Sequence, residues 1–155
     1  MTSSAPPKAA GTGTGPTMLY LVKQLELAVR AQLDDVLRPT GITPLQYTAL
    51  SVLERRSDLS TAELARNAFV TDQSASDMVS SLEDRGLILR HADAADRRRR
   101  VLRLTDAGKA FLEETRPGVE GVEAQMLASL TSAEGASFRR FLTTCRAALA
   151  STPPH

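Results

Sequence analysis

The chain has little of the chemistry by which small enzymes and metal proteins are recognised. Its one cysteine, Cys145, excludes an intrachain disulfide and any cysteine-based zinc site, and its two histidines, His91 and His155, are too few and too scattered for a cluster. No structural metal and no cofactor are expected. A Gly-rich phosphate loop, a Gly-x-Ser-x-Gly elbow and a Cys/His pair are also missing, so an enzyme is not the expected class. No apolar run approaches the ~18 residues of a membrane span, and the first residues are Ser, Thr, Pro and Gly rich rather than basic and then apolar as in a signal peptide. These absences lead us to expect a soluble cytoplasmic protein. Net charge is scarce as well, +1 over 155 residues, so an argument for nucleic acid has to rest on where the charges lie.

They lie together. Six arginines (90, 97, 98, 99, 100 and 103) and two aspartates (93 and 96) fall between Arg90 and Arg103, a local net of +4 in a nearly neutral chain. The run sits between two apolar, strand-like pieces, Leu87-Ile88-Leu89 and Val101-Leu102-Arg103-Leu104, separated by a polar turn around Ala92-Asp93-Ala94. This predicts a β-hairpin with a basic tip. Two short helical patterns precede it, Ser60 to Asn67 and Thr71 to Arg85, in the layout of a helix-turn-helix. The expected fold class is therefore mainly α with a small β-wing, a winged helix-turn-helix.

Local signals place the other helices. Thr17 opens one that runs to about Leu37 and is stopped by Arg38-Pro39, because the residue before proline avoids helical backbone. Leu19, Val22, Val29 and Leu33 mark one face, while Leu21, Leu27 and Ala28 make other faces apolar too, as in a helix packed on more than one side. Thr43-Pro44-Leu45-Gln46 is a capping box with proline at the first helical position, and Ile42 and Tyr47 fit a hydrophobic staple. Ser60-x-x-Glu63 repeats the device with Leu59 and Leu64. Thr71 caps the next helix, whose inward stripe is Ala75, Met78, Val79 and Leu82, and Gly86 follows as a left-handed stop. After Thr105, a seam of Leu112, Thr115, Val119, Val122, Met126 and Leu130 is coiled-coil-like, with Pro117-Gly118 predicting a kink or break near Arg116. Thr131-x-x-Glu134 caps a last helix carrying Phe138, Phe141 or Leu142, Cys145 and Leu149 on one stripe. Cys145 is expected there as a small buried hydrophobe rather than a redox sensor, and His91 as a solvated loop residue.

Three stretches resemble the MarR family of bacterial winged-helix regulators. They are Leu59 to Ala65, Val79 to Arg90, and Asp96-Arg97-Arg98 leading through Val101-Leu102-Arg103-Leu104-Thr105 to Gly108, which is similar to the family's wing signature. The resemblance covers roughly Met18 to Leu149. It implies a single domain over 17–150, with a winged lobe at 41–105 and dimerisation helices at 17–38 and 106–150; the small, proline- and glycine-rich composition of 1–16, without apolar periodicity, separately predicts a floppy tail there, and another is expected at 151–155. It also implies a homodimeric, sequence-specific transcriptional regulator, a repressor by the commoner family outcome, on a pseudo-palindromic double-stranded DNA site.

On that resemblance the helix Thr71 to Arg85 is the recognition helix of the major groove, and Arg98 enters the adjacent minor groove. Narrow minor grooves concentrate negative potential that attracts arginine. Asp96, two residues earlier, is expected to orient Arg98 from the same side of a strand. Arg97, Arg99 and Arg100 are read as phosphate contacts, each adding about 0.9 to the salt dependence. The remaining DNA-facing candidates are Thr61, Thr71, Gln73, Ser74, Ser76, Asp77 and Arg90. The recognition helix is unusually acidic, with Asp72, Asp77, Glu83 and Asp84 against Arg85 alone, which keeps open an alternative: a winged helix that binds protein and not DNA. A small phenolic or anionic effector is the further partner implied, with Tyr20, Arg30, Arg38 and Tyr47 as candidate contacts, although Tyr47 also reads as a core residue.

Overall fold

The computed structural model of the protein describes residues 15–68 and 70–150. The tails expected at 1–16 and 151–155 lie outside these, apart from Gly15 and Pro16. Six α-helices and a two-stranded antiparallel hairpin follow in the order α1 (Met18–Leu37), α2 (Pro44–Arg55), α3 (Thr61–Ala68), α4 (Asp72–Asp84), β1 (Ile88–Ala92), β2 (Arg100–Leu104), α5 (Asp106–Leu127) and α6 (Ser132–Ala150). No helix among the described residues is long and apolar enough to cross a membrane.

Side-chain caps start most of these helices. Thr17, Thr43, Thr71 and Thr105 each accept a backbone N–H from three residues on, and Thr43 and Gln46 close a reciprocal box. Ser60 and Glu63 do the same for α3, at 3.2 and 3.3 Å. Gly86 ends α4 with φ +72°, as a left-handed stop requires. Between α1 and α2, Arg38–Thr40 form a 3₁₀ turn that closes on Gly41, also at φ +72°.

The core lies in the central lobe. Leu50 and Leu53 of α2, Leu64 of α3, Met78, Val79 and Leu82 of α4, Ile88 of β1 and Leu102 of β2 pack together, and Leu112 of α5 closes the cluster. Ile42 is buried and Tyr47 packs on the cluster from its edge, the staple expected around Thr43. In the hairpin, Ile88 faces Leu104 and Ala92 faces Arg100. Leu59 adds a bridge to Leu102 on the other side of β2, with Leu102 N–H donating to Leu59 O at 2.8 Å. This third partner of the wing was not foreseen.

Two expectations are corrected here. Pro117 and Gly118 do not break α5, which runs unbroken from Asp106 to Leu127. A helix proline removes one N–H and costs about 3 kcal/mol, yet packing holds both sides of it. Arg116 reaches Glu54 of α2 at 2.8 Å, and a Cβ on Gly118 would stand 2.7 Å from Val36 Cγ1. The glycine therefore marks the close approach of α1 to α5. Cys145, in turn, is exposed and not buried. Its helix buries no residue fully; Phe138 is half-buried opposite α5, while Phe141, Leu142 and Leu149 on the same helix stay exposed.

Candidate nucleic-acid interface

The two halves of the candidate site are α4 and the wing, and both are fixed by the buried stripe behind them. With Ala75, Met78, Val79 and Leu82 inward, the 3.6-residue period turns Asp72, Gln73, Ser76, Asp77 and Ser80 outward, and all are exposed. Thr71 and Ser74 are partly spent on the helix start, since Thr71 Oγ1 accepts the Ser74 N–H at 3.1 Å and donates to Ser74 Oγ at 3.0 Å. Gln73 Nε2 donates to Asp77 Oδ1 at 3.1 Å, which aims the amide along the helix face. Thr61 is half-buried in the first turn of α3.

Residues 93–99 form the wing tip. Asp93 N–H donates to Arg99 O at 2.9 Å and Arg99 N–H to Asp96 O at 3.0 Å, so the turn is closed twice by backbone. The Asp96 carboxylate accepts the backbone N–H of Arg98 at 3.0 Å. The expected orientation of Arg98 by Asp96 thus takes a different form. Both residues lie in a turn and not on one side of a strand, and the carboxylate acts on the backbone, as aspartates in turns commonly do.

The six arginines divide into two groups. Arg90 lies against α4, its Nη2 3.4 Å from Ser80 Oγ and its Nε 3.6 Å from Glu83 Oε2. Arg99 pairs with Asp93, Nη1 to Oδ2 at 2.9 Å, and with Glu63 of α3. Arg103 pairs with Asp58. Arg97, Arg98 and Arg100 are exposed, and their side chains enter no ion pair or hydrogen bond among the described residues. The uncompensated charge of the hairpin is therefore concentrated at three guanidiniums on and beside its tip. Arg99, expected as one more phosphate contact, has two carboxylate partners.

Acidic partners are what sequence reasoning missed. Glu63 was seen only as a helix cap, and Asp58 not at all. The side-chain hydrogen bond from Arg103 holds the Asp58 carboxyl below the usual aspartate range, against the opposing effect of desolvation, and the Arg103 guanidinium is pushed up in return. His91 is half-buried on β1 and not in a solvated loop, with Nε2 3.2 Å from Asp58 Oδ1. Arg85, the one cation of the recognition helix, turns away from the outer face and donates to Thr40 O at 2.7 Å.

The four effector candidates are not brought together around a cleft. Arg30 pairs with Glu26, Arg38 with Asp35 at 2.7 Å, Tyr47 rests on the core and Tyr20 is exposed. A separate, mostly apolar cavity of about 400 Å³ lies between α1 and α5, lined among others by Val29, Gln32, Val122 and Met126.

A family model described as MarR family matches residues 40–99, the stretch from the turn before α2 to the wing tip. The HTH-type transcriptional repressor Rv2887 of Mycobacterium tuberculosis is 32% identical over 123 residues, which span 79% of this chain and 88% of the relative. The chain belongs to the MarR family. Among solved structures, a probable transcriptional regulator from Pseudomonas aeruginosa superposes on this MarR protein with a TM-score of 0.73 at 28% identity, covering 83% of this chain and 96% of that one. Rv2887 in complex with DNA superposes with a TM-score of 0.69 at 29% identity, over 84% and 98% of the two chains. Rv2887 has also been solved with p-aminosalicylic acid and with salicylic acid. The hairpin and α3–α4 of this chain are thus the wing and helix-turn-helix of a MarR-family transcriptional regulator.

Proposed function

We propose that this MarR-family regulator is a homodimeric repressor that acts in the cytoplasm, laying α4 in the major groove of a pseudo-palindromic DNA site and the wing in the adjacent minor groove. The observation that carries the reading is the trio Arg97, Arg98 and Arg100, exposed on and beside a turn closed by backbone hydrogen bonds, together with the exposed outer face of α4 that carries Gln73 and Ser76. Arg98 is assigned to the minor groove, where readout is chiefly by shape, and Arg97 and Arg100 to phosphates. Gln73, Ser76 and Asp77 face base edges, with Thr61, Thr71, Ser74 and Arg90 at the flanking backbone. Affinity then comes more from the wing than from the acidic α4, and the chain has a binding role and no catalytic one.

Dimerisation is assigned to 17–38 and 106–150, outside the lobe at 41–105. Leu19 is 80% exposed and Leu149 75%, apolar surface that a second copy would cover. Two recognition helices related by a two-fold axis then stand about one DNA turn apart, ~34 Å. By analogy with the salicylate complexes of Rv2887, a small aromatic anion is the effector class.

Genomic fragments are captured with the purified protein, with and without salicylate, and the recovered fragment is titrated by fluorescence anisotropy. Wild type is expected to bind and salicylate to release it, and Arg98→Ala is expected to lose ~1–3 kcal/mol of affinity while the dimer persists. Unchanged affinity for Arg98→Ala would remove the wing from the mechanism. Failure to recover any fragment would favour the protein-binding alternative, which the acidic face of α4 otherwise supports.

A further inference from the structure

We infer that Arg99 is a positioning residue for DNA binding. Its bridge from Asp93 to Glu63 fixes the wing tip against the first turn of α3, and its guanidinium does not serve a phosphate. The inference rests on the DNA-binding reading above and deepens it.

The geometry is specific. Glu63 Oε1, the oxygen that accepts the Ser60 N–H at the start of α3, is also the atom that meets Arg99 Nη2. On its other side Arg99 Nη1 donates to Asp93 Oδ2 at 2.9 Å, while Asp93 Oδ1 accepts the Ala95 N–H at 3.1 Å. One guanidinium thus joins a helix start to the turn that presents Arg97 and Arg98. The side chains of Asp93 and Glu63 are only 18% and 28% exposed. Two carboxylates around one guanidinium leave the cluster at −1, so a phosphate brought to it would meet repulsion and not attraction.

The same short segment holds the wing at a second point. Leu59, immediately before Ser60, bridges to Leu102 in the middle of β2. Leu59 to Glu63 therefore holds the hairpin at both its middle and its tip, and helps to set the angle between wing and helix-turn-helix. Reading two grooves at once demands a fixed angle, because a phosphate or groove contact is lost when its donor is displaced by about an ångström.

The test turns on sign. Glu63→Gln removes a negative charge close to the DNA face, and glutamine still closes the capping box. Simple charge counting predicts tighter binding. The bridge predicts weaker binding, by roughly two- to fivefold, the range of partly exposed ion pairs. Binding of the recovered genomic fragment is measured for wild type, Glu63→Gln, Arg99→Ala, Arg99→Lys and the double variant Glu63→Gln/Arg99→Ala across a salt series. Thermal melts by circular dichroism check that each variant is folded.

The expected result is weaker binding by both single variants, little further loss in the double variant, partial recovery with lysine and a salt slope for Arg99→Ala equal to wild type. Tighter or unchanged binding by Glu63→Gln overturns the inference. So does a slope that falls by about 0.9 in Arg99→Ala, the mark of one lost phosphate contact. A wild-type protein that binds no fragment defeats the DNA-binding reading itself, a different outcome from either of these.

Discussion

Arg103, near the end of β2, holds Asp58 at two points, Nε to Oδ1 at 2.7 Å and Nη2 to Oδ2 at 3.3 Å, across a gap of 45 residues. Asp58 has a positive φ of 64°, the only non-glycine among the described residues that does. Aspartate tolerates this backbone better than most side chains. The pair therefore anchors the wing to the turn before α3 at a residue suited to both tasks.

The anchor is expected to respond to acid. Arg103 depresses the carboxyl of Asp58 in the folded protein, so its contribution to stability is complete above the ordinary aspartate value of about 3.9 and is lost as pH falls through the lower folded value. Asp58→Asn should melt lower than wild type at pH 7. The difference should shrink progressively below about pH 4, in thermal melts followed by circular dichroism. A gap that stays constant down to pH 2 would contradict the pairing.

Asp96 separates two ways of orienting an arginine. Its carboxylate accepts the Arg98 backbone N–H, a role that asparagine fills nearly as well. Asp96→Asn is therefore expected to keep DNA affinity close to wild type, while Asp96→Ala weakens it by ~1 kcal/mol, the usual worth of one such hydrogen bond. Equal losses for both variants in anisotropy titrations would point instead to a charge effect on the guanidinium.

Gly118 is expected to reject even a methyl group. In a helix interior, glycine to alanine ordinarily gains ~1 kcal/mol, but here the new Cβ would stand 2.7 Å from Val36 Cγ1, and valine is stiff about its first torsion. Gly118→Ala should therefore lose ~1–3 kcal/mol by urea denaturation. Adding Val36→Ala should recover part of the loss, and strictly additive effects would remove the clash from consideration.

Leu102 joins the wing to the core and to Leu59, and is 1% exposed. Leu102→Ala should cost ~2–5 kcal/mol by chemical denaturation, the span for a buried leucine. A loss below 1 kcal/mol would mean that the lobe does not unfold together with its hairpin.

Phe141 is 57% exposed on the stripe of α6. If that stripe is covered by a second copy, Phe141→Asp should shift the mass in light scattering from dimer toward monomer at micromolar protein, with helical content retained. A mass identical to wild type would move the interface elsewhere.

What could be read in advance follows the range of the interactions. The caps at Thr43, Ser60 and Thr71 and the stop at Gly86 involve atoms three to five residues apart, and residue type and spacing sufficed to locate them. The apolar stripe of α4 was equally plain, because a 3.6-residue period fixes which side chains turn inward. The bridge from Leu59 to Leu102, the pairing of Arg99 with Glu63 and the return of Arg85 to Thr40 join points 36 to 45 residues apart, and no local pattern announces them. The continuity of α5 through Pro117 was hidden for the same reason, since Arg116–Glu54 and the approach of Val36 are tertiary. Cys145 differs from expectation because the outer part of its stripe, unlike Phe138, lies beyond the cover that α5 gives.

The return of Arg85 to Thr40 has a mechanical corollary. Its guanidinium holds the last turn of α4 to the carbonyl of a 3₁₀ turn that is itself knotted to the end of α1, through Thr40 Oγ1 donating to Leu37 O at 2.6 Å and Gly41 N–H to Arg38 O at 3.1 Å. A ligand or a second subunit that moved the end of α1 would reach the last turn of α4 through a linkage two hydrogen bonds long, Leu37 O to Thr40 and Thr40 O to Arg85.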